Sequence, residues 1–214
     1  VGAQGGFNSD SFFPNKYNNF FEDILIEPIK SESEKFNKKK YVINKGLWSK
    51  KEQRKLYILD KRLGSSSMYE PNPESFDIHN IKTKNYKNYD VTRTLEVECD
   101  TLNNLLSEID VKNLDYLKID TQGAELEILK GIGNFRPILI RVEMHIFSMY
   151  KNVPSWHKLL NFLYELNYIA IDWKGIGEHN TRMPAEMDMI FIPNFNDIDG
   201  KNLIFNSKEK FISL

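Results

Sequence analysis

The chain has 214 residues, which suits one domain on the usual ~100–200 residues per domain, and 41% of them are apolar, enough for a sizeable core. Its 29 Lys and Arg stand against 30 Asp and Glu, so no global field favours nucleic acid or an anionic membrane. The single cysteine, Cys99, excludes an internal disulfide, and no apolar run approaches the ~20 residues of a membrane helix, so a soluble, cytoplasmic protein is expected.

Val1 to Phe7, VGAQGGF, packs three glycines into seven residues and has no initiator methionine before it, so a strand is expected upstream of Val1. Following such a strand, Gly2, Gly5 and Gly6 would form a loop whose backbone can approach a ligand closely; the other reading is a flexible terminus. A G-x-G-x-x-G dinucleotide loop starting at Gly2 would need glycine where Gln4 and Phe7 stand. A nucleoside without a pyrophosphate fits better.

Ile24 to Ile26 forms a short apolar strand that ends in Glu27 and is stopped by Pro28. An acid closing the second strand about 20 residues past a glycine loop suits ribose hydroxyls. The basic stretch from Phe36 to Arg62 carries two predicted strands, Tyr41–Asn44 and Lys55–Leu59, and reads as a solvated face rather than a nucleic-acid footprint. Trp48, between those strands, either lies against a purine ring or belongs to the core. In the polar loop GSSSMYEPNP, Ser65 to Ser67 can bind substrate oxygens or cap the chain locally.

Val91 to Glu98 alternates as a half-exposed strand, and Asp100 is expected to cap a helix with Leu102, Leu105, Leu106 and Ile109 on one face. The run through Ile119 then delivers Asp120 into a turn at Gly123, ahead of a helix from Glu125 to Lys130 closed by Gly131. Ile138 to Val142 ends at Glu143, with His145 two residues beyond. Three strands thus finish in a carboxylate, ILIE, LKID and IRVE, and in an open α/β sheet ligand crevices form outside such ends. Pro154 to Asn167 reads as an amphipathic core-facing helix, and Tyr168–Trp173 and Met187–Ile192 as an antiparallel edge pair, since their link is too short for a crossover helix.

The block LKIDTQGAELEILKG at 117–131 resembles the signature of the FkbM-type methyltransferases, which use S-adenosylmethionine. IEP at 26–28, GSSSMYEPN at 64–72, CDTLNNLL at 99–106 and MDMIFI at 187–192 resemble its other blocks in the same order. The resemblance implies an α/β fold, an open and mostly parallel Rossmann-like sheet with helices on both faces and a terminal antiparallel strand pair. The methyltransferase domain would span residues 1–193, truncated at its N-terminus, with residues 194–214 as an edge extension. Gly2, Ala3 and Gly6 would embrace the methionine part of the cofactor, Glu27 the ribose, and the segment from Gly46 to Trp48 would border adenine, with Asp120 at the same crevice.

The implied reaction is O-methylation of a hydroxyl on a sugar, glycan or secondary metabolite, with Ser66 and Glu143 on the acceptor side. A hydroxyl acceptor must lose a proton, and His145 is the expected base, with Asp120 second. A different possibility is that Asp120, Glu143 and His145 hold a divalent ion. An alternative function is a non-catalytic domain that keeps the nucleoside crevice for partner binding.

Overall fold

The computed structural model describes residues 1–2, 22–36, 38–78, 89–176 and 186–206; Ala3 and Gly6 lie outside them. In chain order the elements are strand β1 (Ile24–Ile26), helix α1 (Lys30–Ser33), β2 (Tyr41–Ile43), β3 (Gly46–Leu47), β4 (Glu52–Ile58), α2 (Pro73–Ile78) and β5 (Arg93–Asp100). There follow α3 (Leu102–Glu108), β6 (Tyr116–Ile119), α4 (Glu125–Lys130), β7 (Leu139–His145), α5 (Trp156–Glu165), β8 (Tyr168–Ile176), β9 (Glu186–Pro193) and α6 (Ile198–Asn206). Short 3₁₀ segments occupy Glu34–Phe36 and Asp60–Ser65.

The architecture is mixed α/β. Instead of one sheet, the described residues form three: β1 beside β2; β3, β5 and β4 in that order; and β6, β7, β9 and β8. β1 pairs with β2 in parallel, as β6 does with β7, whereas β9 runs antiparallel to both β7 and β8. The expected antiparallel pair is therefore present, with β9 inserted between β7 and the edge strand β8. Val1 lies along β6, its amino group donating to the Lys118 carbonyl at 2.9 Å.

Burial explains the central ladder. Six of the seven residues of β7 are buried, because β6 and β9 flank it and helices α4 and α5 pack against it. Leu126, Ile128 and Leu129 of α4 join Leu159 and Leu163 of α5 in the same core. Each such side chain, fully buried, contributes roughly 1.5–3 kcal/mol, so these short elements hold through packing more than through helix propensity. α6 packs on β9, where Gly200 lies so close to the Asn194 carbonyl that a Cβ would sit 2.2 Å from it.

Several boundaries differ from the sequence reading. The strand expected over Val91–Glu98 runs on to Asp100, so Thr101 is the cap of α3: its hydroxyl accepts from the Asn104 amide at 3.1 Å. Asp100 supports that turn by accepting from the Thr101 amide and the Asn104 side chain, each at 2.8 Å. Likewise β7 continues through Glu143 to His145, because β9 extends the ladder to the pair His145 and Glu186. The strand expected at Lys55–Leu59 begins at Glu52 and pairs antiparallel with β5, away from β1 and β2.

Lysines of the basic stretch are paired with acids, Lys39 with Asp23 and Lys40 with Glu22 at 2.5 Å, and Lys45 with Glu98 at 3.2 Å. Among the described residues no helix is long and apolar enough to cross a membrane.

Candidate functional site

The site is built around the turn that leaves β6. Asp120 follows the last strand residue, and the chain then passes through two left-handed positions, Gln122 at φ 59° and Gly123 at φ 111°. Glycine tolerates such a φ, and here space also demands it, since a Cβ on residue 123 would lie 2.8 Å from Val153 Cγ2. The buried carboxylate of Glu125 closes the turn. It accepts from the Thr121 amide and hydroxyl, each at 2.9 Å, and from the Gly123 amide at 3.1 Å. Burial pushes the Glu125 carboxyl up from its ordinary pKa, against the downward pull of those amides.

Gln122 is the hub. Its amide nitrogen donates to Glu143 Oε2 at 2.6 Å and to Asp120 Oδ1 at 3.3 Å, while its Oε1 accepts from the Tyr150 hydroxyl at 2.8 Å. Its backbone carbonyl accepts from Ser67 Oγ at 2.6 Å. These bonds join β6, β7, the serine loop and the segment after β7.

Two cavities meet at this turn. An inner one of about 130 Å³ lies between the ends of β1 and β6, lined by Gly2, Glu27, Ile29, Leu47, Asp120 and Ala124 among others. An outer one of about 590 Å³ is lined by Asp60 to Ser65, Asp120, Gln122, Glu143 and Glu186. Leu63, Gly64, Asp120 and Gln122 belong to both walls. The inner cavity mixes apolar side chains with two buried acids, Glu27 and Glu32, and the outer is dominated by charged and polar groups.

Glu27, 6% exposed, follows β1 and accepts from the Ile29 amide at 2.9 Å. Asp120 is half-buried, with Lys118 Nζ 3.3 Å from its Oδ2. Gly2 has φ 70°, and a Cβ there would come 1.8 Å from the Asp120 carbonyl oxygen, so only glycine permits this approach. Ser66 lines the inner cavity, and its hydroxyl accepts from the Leu59 amide at 3.1 Å, whereas the neighbouring Ser65 borders the outer cavity.

Trp48 is a core residue, 5% exposed and outside both walls among the described residues. Its ring is covered by the Arg54 guanidinium at 3.8 Å and flanked by Tyr69 at 5.7 Å between centroids. Cation–π contact and core packing take up the ring, the core alternative of the two, while Gly46 and Leu47 of the same expected segment line the inner cavity.

His145 is buried at the end of β7. Its Nε2 lies 3.7 Å from Glu143 Oε2 and its Nδ1 3.7 Å from Glu186 Oε1, with the Tyr150 ring edge-on at 5.5 Å. Burial lowers the imidazole pKa, although the Glu186 and Asp120 charges oppose this. Burial, and then the charges of Asp120 and Glu186, hold the Glu143 carboxyl well above its ordinary range. Glu186 is raised too, again chiefly by burial.

Sequence reasoning thus named Asp120, Glu143 and His145, and the structure brings them together. It missed Gln122, which lies inside the quoted block, and Glu186. A partial signal for Glu186 existed, since it directly precedes the expected strand Met187–Ile192; the pairing of that strand with β7, which sets Glu186 opposite His145, is visible only in the structure.

The family model described as "Methyltransferase FkbM domain" matches residues 1–170 of the chain. No curated protein and no solved structure matches it.

Proposed function

The chain belongs to the FkbM methyltransferase domain family, and from that membership we propose that it transfers a methyl group from S-adenosylmethionine to a hydroxyl of a sugar, glycan or secondary metabolite. The observation that carries this reading is the meeting of two unlike cavities at Asp120 and Gln122. A transfer between two substrates needs two compartments with one shared wall.

The lining of the inner cavity suits the nucleoside end of the cofactor. Its apolar wall, Ile29, Leu47 and Ile128, suits a flat purine, and the buried carboxylate of Glu27 suits ribose hydroxyls. The pairing of β1 with β2, the order β6, β7, β9, β8, and the position of Val1 and Gly2 against β6 support a Rossmann-like sheet around it. The outer cavity, with Asp60, Lys61, Arg62, Glu143 and Glu186, offers donors and acceptors to a polyhydroxylated acceptor.

When bound, the cofactor supplies an electrophilic methyl on a sulfonium. The protein's part is alignment, since holding acceptor oxygen, carbon and sulfur in line lowers the barrier by prepaid entropy. Glu27 holds the ribose, Gly2 lets the backbone close against β6, and Gln122 fixes Asp120 and Glu143 relative to each other. Asp120 faces both cavities and takes the proton that the acceptor hydroxyl releases as its new bond to carbon forms.

The test is calorimetry of S-adenosylmethionine on the full chain, followed by a labelled-methyl screen of carbohydrate acceptors. Binding that falls at least about tenfold in Glu27→Gln, together with transfer to a glycan hydroxyl, is expected. Binding without transfer to any acceptor would favour a non-catalytic nucleoside-binding domain, and no binding at all would end the methyl-donor reading.

A further inference from the structure

The outer cavity's floor holds a group of side chains that alignment of substrates does not require. Glu143 and His145 are two residues apart on β7 and share one face, and antiparallel pairing sets Glu186 of β9 opposite His145 on that same face. On the adjoining rungs Arg141 neutralises Asp188 at 2.6 Å. Among the described residues neither Glu143 nor Glu186 has a Lys or Arg within ion-pair distance, although the Arg62 charge acts on Glu186.

The imidazole between them is the second observation. His145 has 3% of its side chain exposed, and neither ring nitrogen has a hydrogen-bond partner among the described residues. A buried imidazole with both nitrogens unsatisfied is costly, and native proteins rarely leave one so. The nearest carboxylate oxygens, 3.7 Å away on either side, are too far for hydrogen bonds. One ion takes only one ring nitrogen: Nε2 and Glu143 Oε2, 3.7 Å apart and each ~2.1 Å from a shared metal, subtend about 120°, and the Glu186 carboxylate, which lies beside Nδ1, must turn toward the ion to complete the set.

We infer that Glu143, His145 and Glu186 bind one divalent transition-metal ion at the floor of the outer cavity. Each residue offers one ligand atom, and the three atoms lie within 4.8 Å of one another. Two carboxylates balance the charge of a divalent cation. One imidazole with two carboxylates suits Mn²⁺ or Zn²⁺ better than Mg²⁺, which keeps to oxygen ligands and water. The Gln122 amide on Glu143, itself held by Tyr150, is the outer-sphere bond that orients a ligating carboxylate. Glu143 and Glu186 both line the cavity, so an ion held by them would be reached from it. Asp120, included in the set read from sequence, is instead engaged by Lys118 and Gln122.

A cation here would acidify a hydroxyl bound in the outer cavity. That effect rests on the methyl-transfer reading; the binding does not. The test therefore omits cofactor and acceptor. The full chain, stripped with chelator and dialysed, is titrated with Mn²⁺ and followed by the loss of the free-ion paramagnetic signal. One site per chain, competed by Zn²⁺, is expected, with spin-echo modulation from one directly bound imidazole nitrogen. Glu186→Gln, almost isosteric, should weaken binding at least tenfold while a thermal melt reports folding. Absence of stoichiometric Mn²⁺ and Zn²⁺ binding, a bound ion lacking the imidazole signature, or undiminished affinity in a folded Glu186→Gln would overturn the site. The spectroscopic signature is read on the unmodified chain and does not depend on the variant.

Discussion

Gln122 donates its side-chain amide to Glu143 across 2.6 Å, from a backbone position at φ 59° that few residues other than glycine adopt. The left-handed turn aims the amide from the end of β6 at a buried carboxyl on β7, and Tyr150 completes the bridge from the other side. A glycine would relax the backbone but remove the link. The conformational cost at residue 122 is thus offset by a network that fixes the shared wall of both cavities.

Replacing Gln122 by Leu should therefore destabilise the protein by about 1–3 kcal/mol, because it strands the buried Glu143 carboxyl, while the Tyr150 hydroxyl keeps only the Ser65 carbonyl at 2.9 Å. Urea unfolding measures the loss. Combined with Tyr150→Phe the two effects should fall short of their sum by at least about 0.5 kcal/mol. Strict additivity would mean that the bonds do not act as one network.

Gly2→Ala tests the close approach of the N-terminal segment to β6. The added methyl would meet the Asp120 carbonyl at 1.8 Å and would also sit at φ 70°, so Val1 and Gly2 must move away. Cofactor affinity should drop about tenfold, or about 1.4 kcal/mol, while the melting temperature changes little, since only the wall of the inner cavity shifts. An unchanged dissociation constant by calorimetry would remove Gly2 from the cofactor site.

Cys99 gives a pH-dependent readout remote from the site. Burial pushes its thiol up to about 11 from 9.0, and its side chain contacts Met68 and the Val97 carbonyl. The thiolate is the reactive form, so native Cys99 should resist disulfide reagents at pH 8, with a rate that climbs about tenfold per pH unit, whereas the unfolded chain reacts at once. For stability, the folded thiol keeps its proton where the unfolded one loses it. Stability from this group is thus intact below about 9 and declines as pH rises from there toward about 11. Guanidinium midpoints at pH 8 and pH 10 should show that decline in the wild type beyond whatever Cys99→Ala shows; equal slopes would refute it.

The turn from Asp120 to Gly131 was legible because local signals agreed: an apolar run, an acid, a glycine and an amphipathic helix. The far end of β7 was not, because Glu143 and His145 look like the end of a strand when read alone. Only the ladder with Glu186, more than forty residues on, keeps them inside it. Gln122 was hidden for a related reason: its partners Ser67, Glu143 and Tyr150 come from three distant segments, and no spacing rule connects them. For Trp48 sequence offered a ring but not its surroundings, and Arg54 and Tyr69 decide that it packs inward.

The identity of the proton acceptor separates two residues that sequence ranked together. Asp120 lines both cavities, whereas His145 lies behind Glu143 and Glu186 and lines neither among the described residues. If Asp120 takes the acceptor proton, Asp120→Asn should lower single-turnover methyl transfer by ~10²-fold or more while cofactor affinity changes far less. His145→Gln should then act through metal affinity, so its activity should recover as Mn²⁺ is raised, and that of Asp120→Asn should not. Full turnover in Asp120→Asn, with His145→Gln inactive at every metal concentration, would return the proton to the imidazole and make Asp120 a cofactor-positioning group.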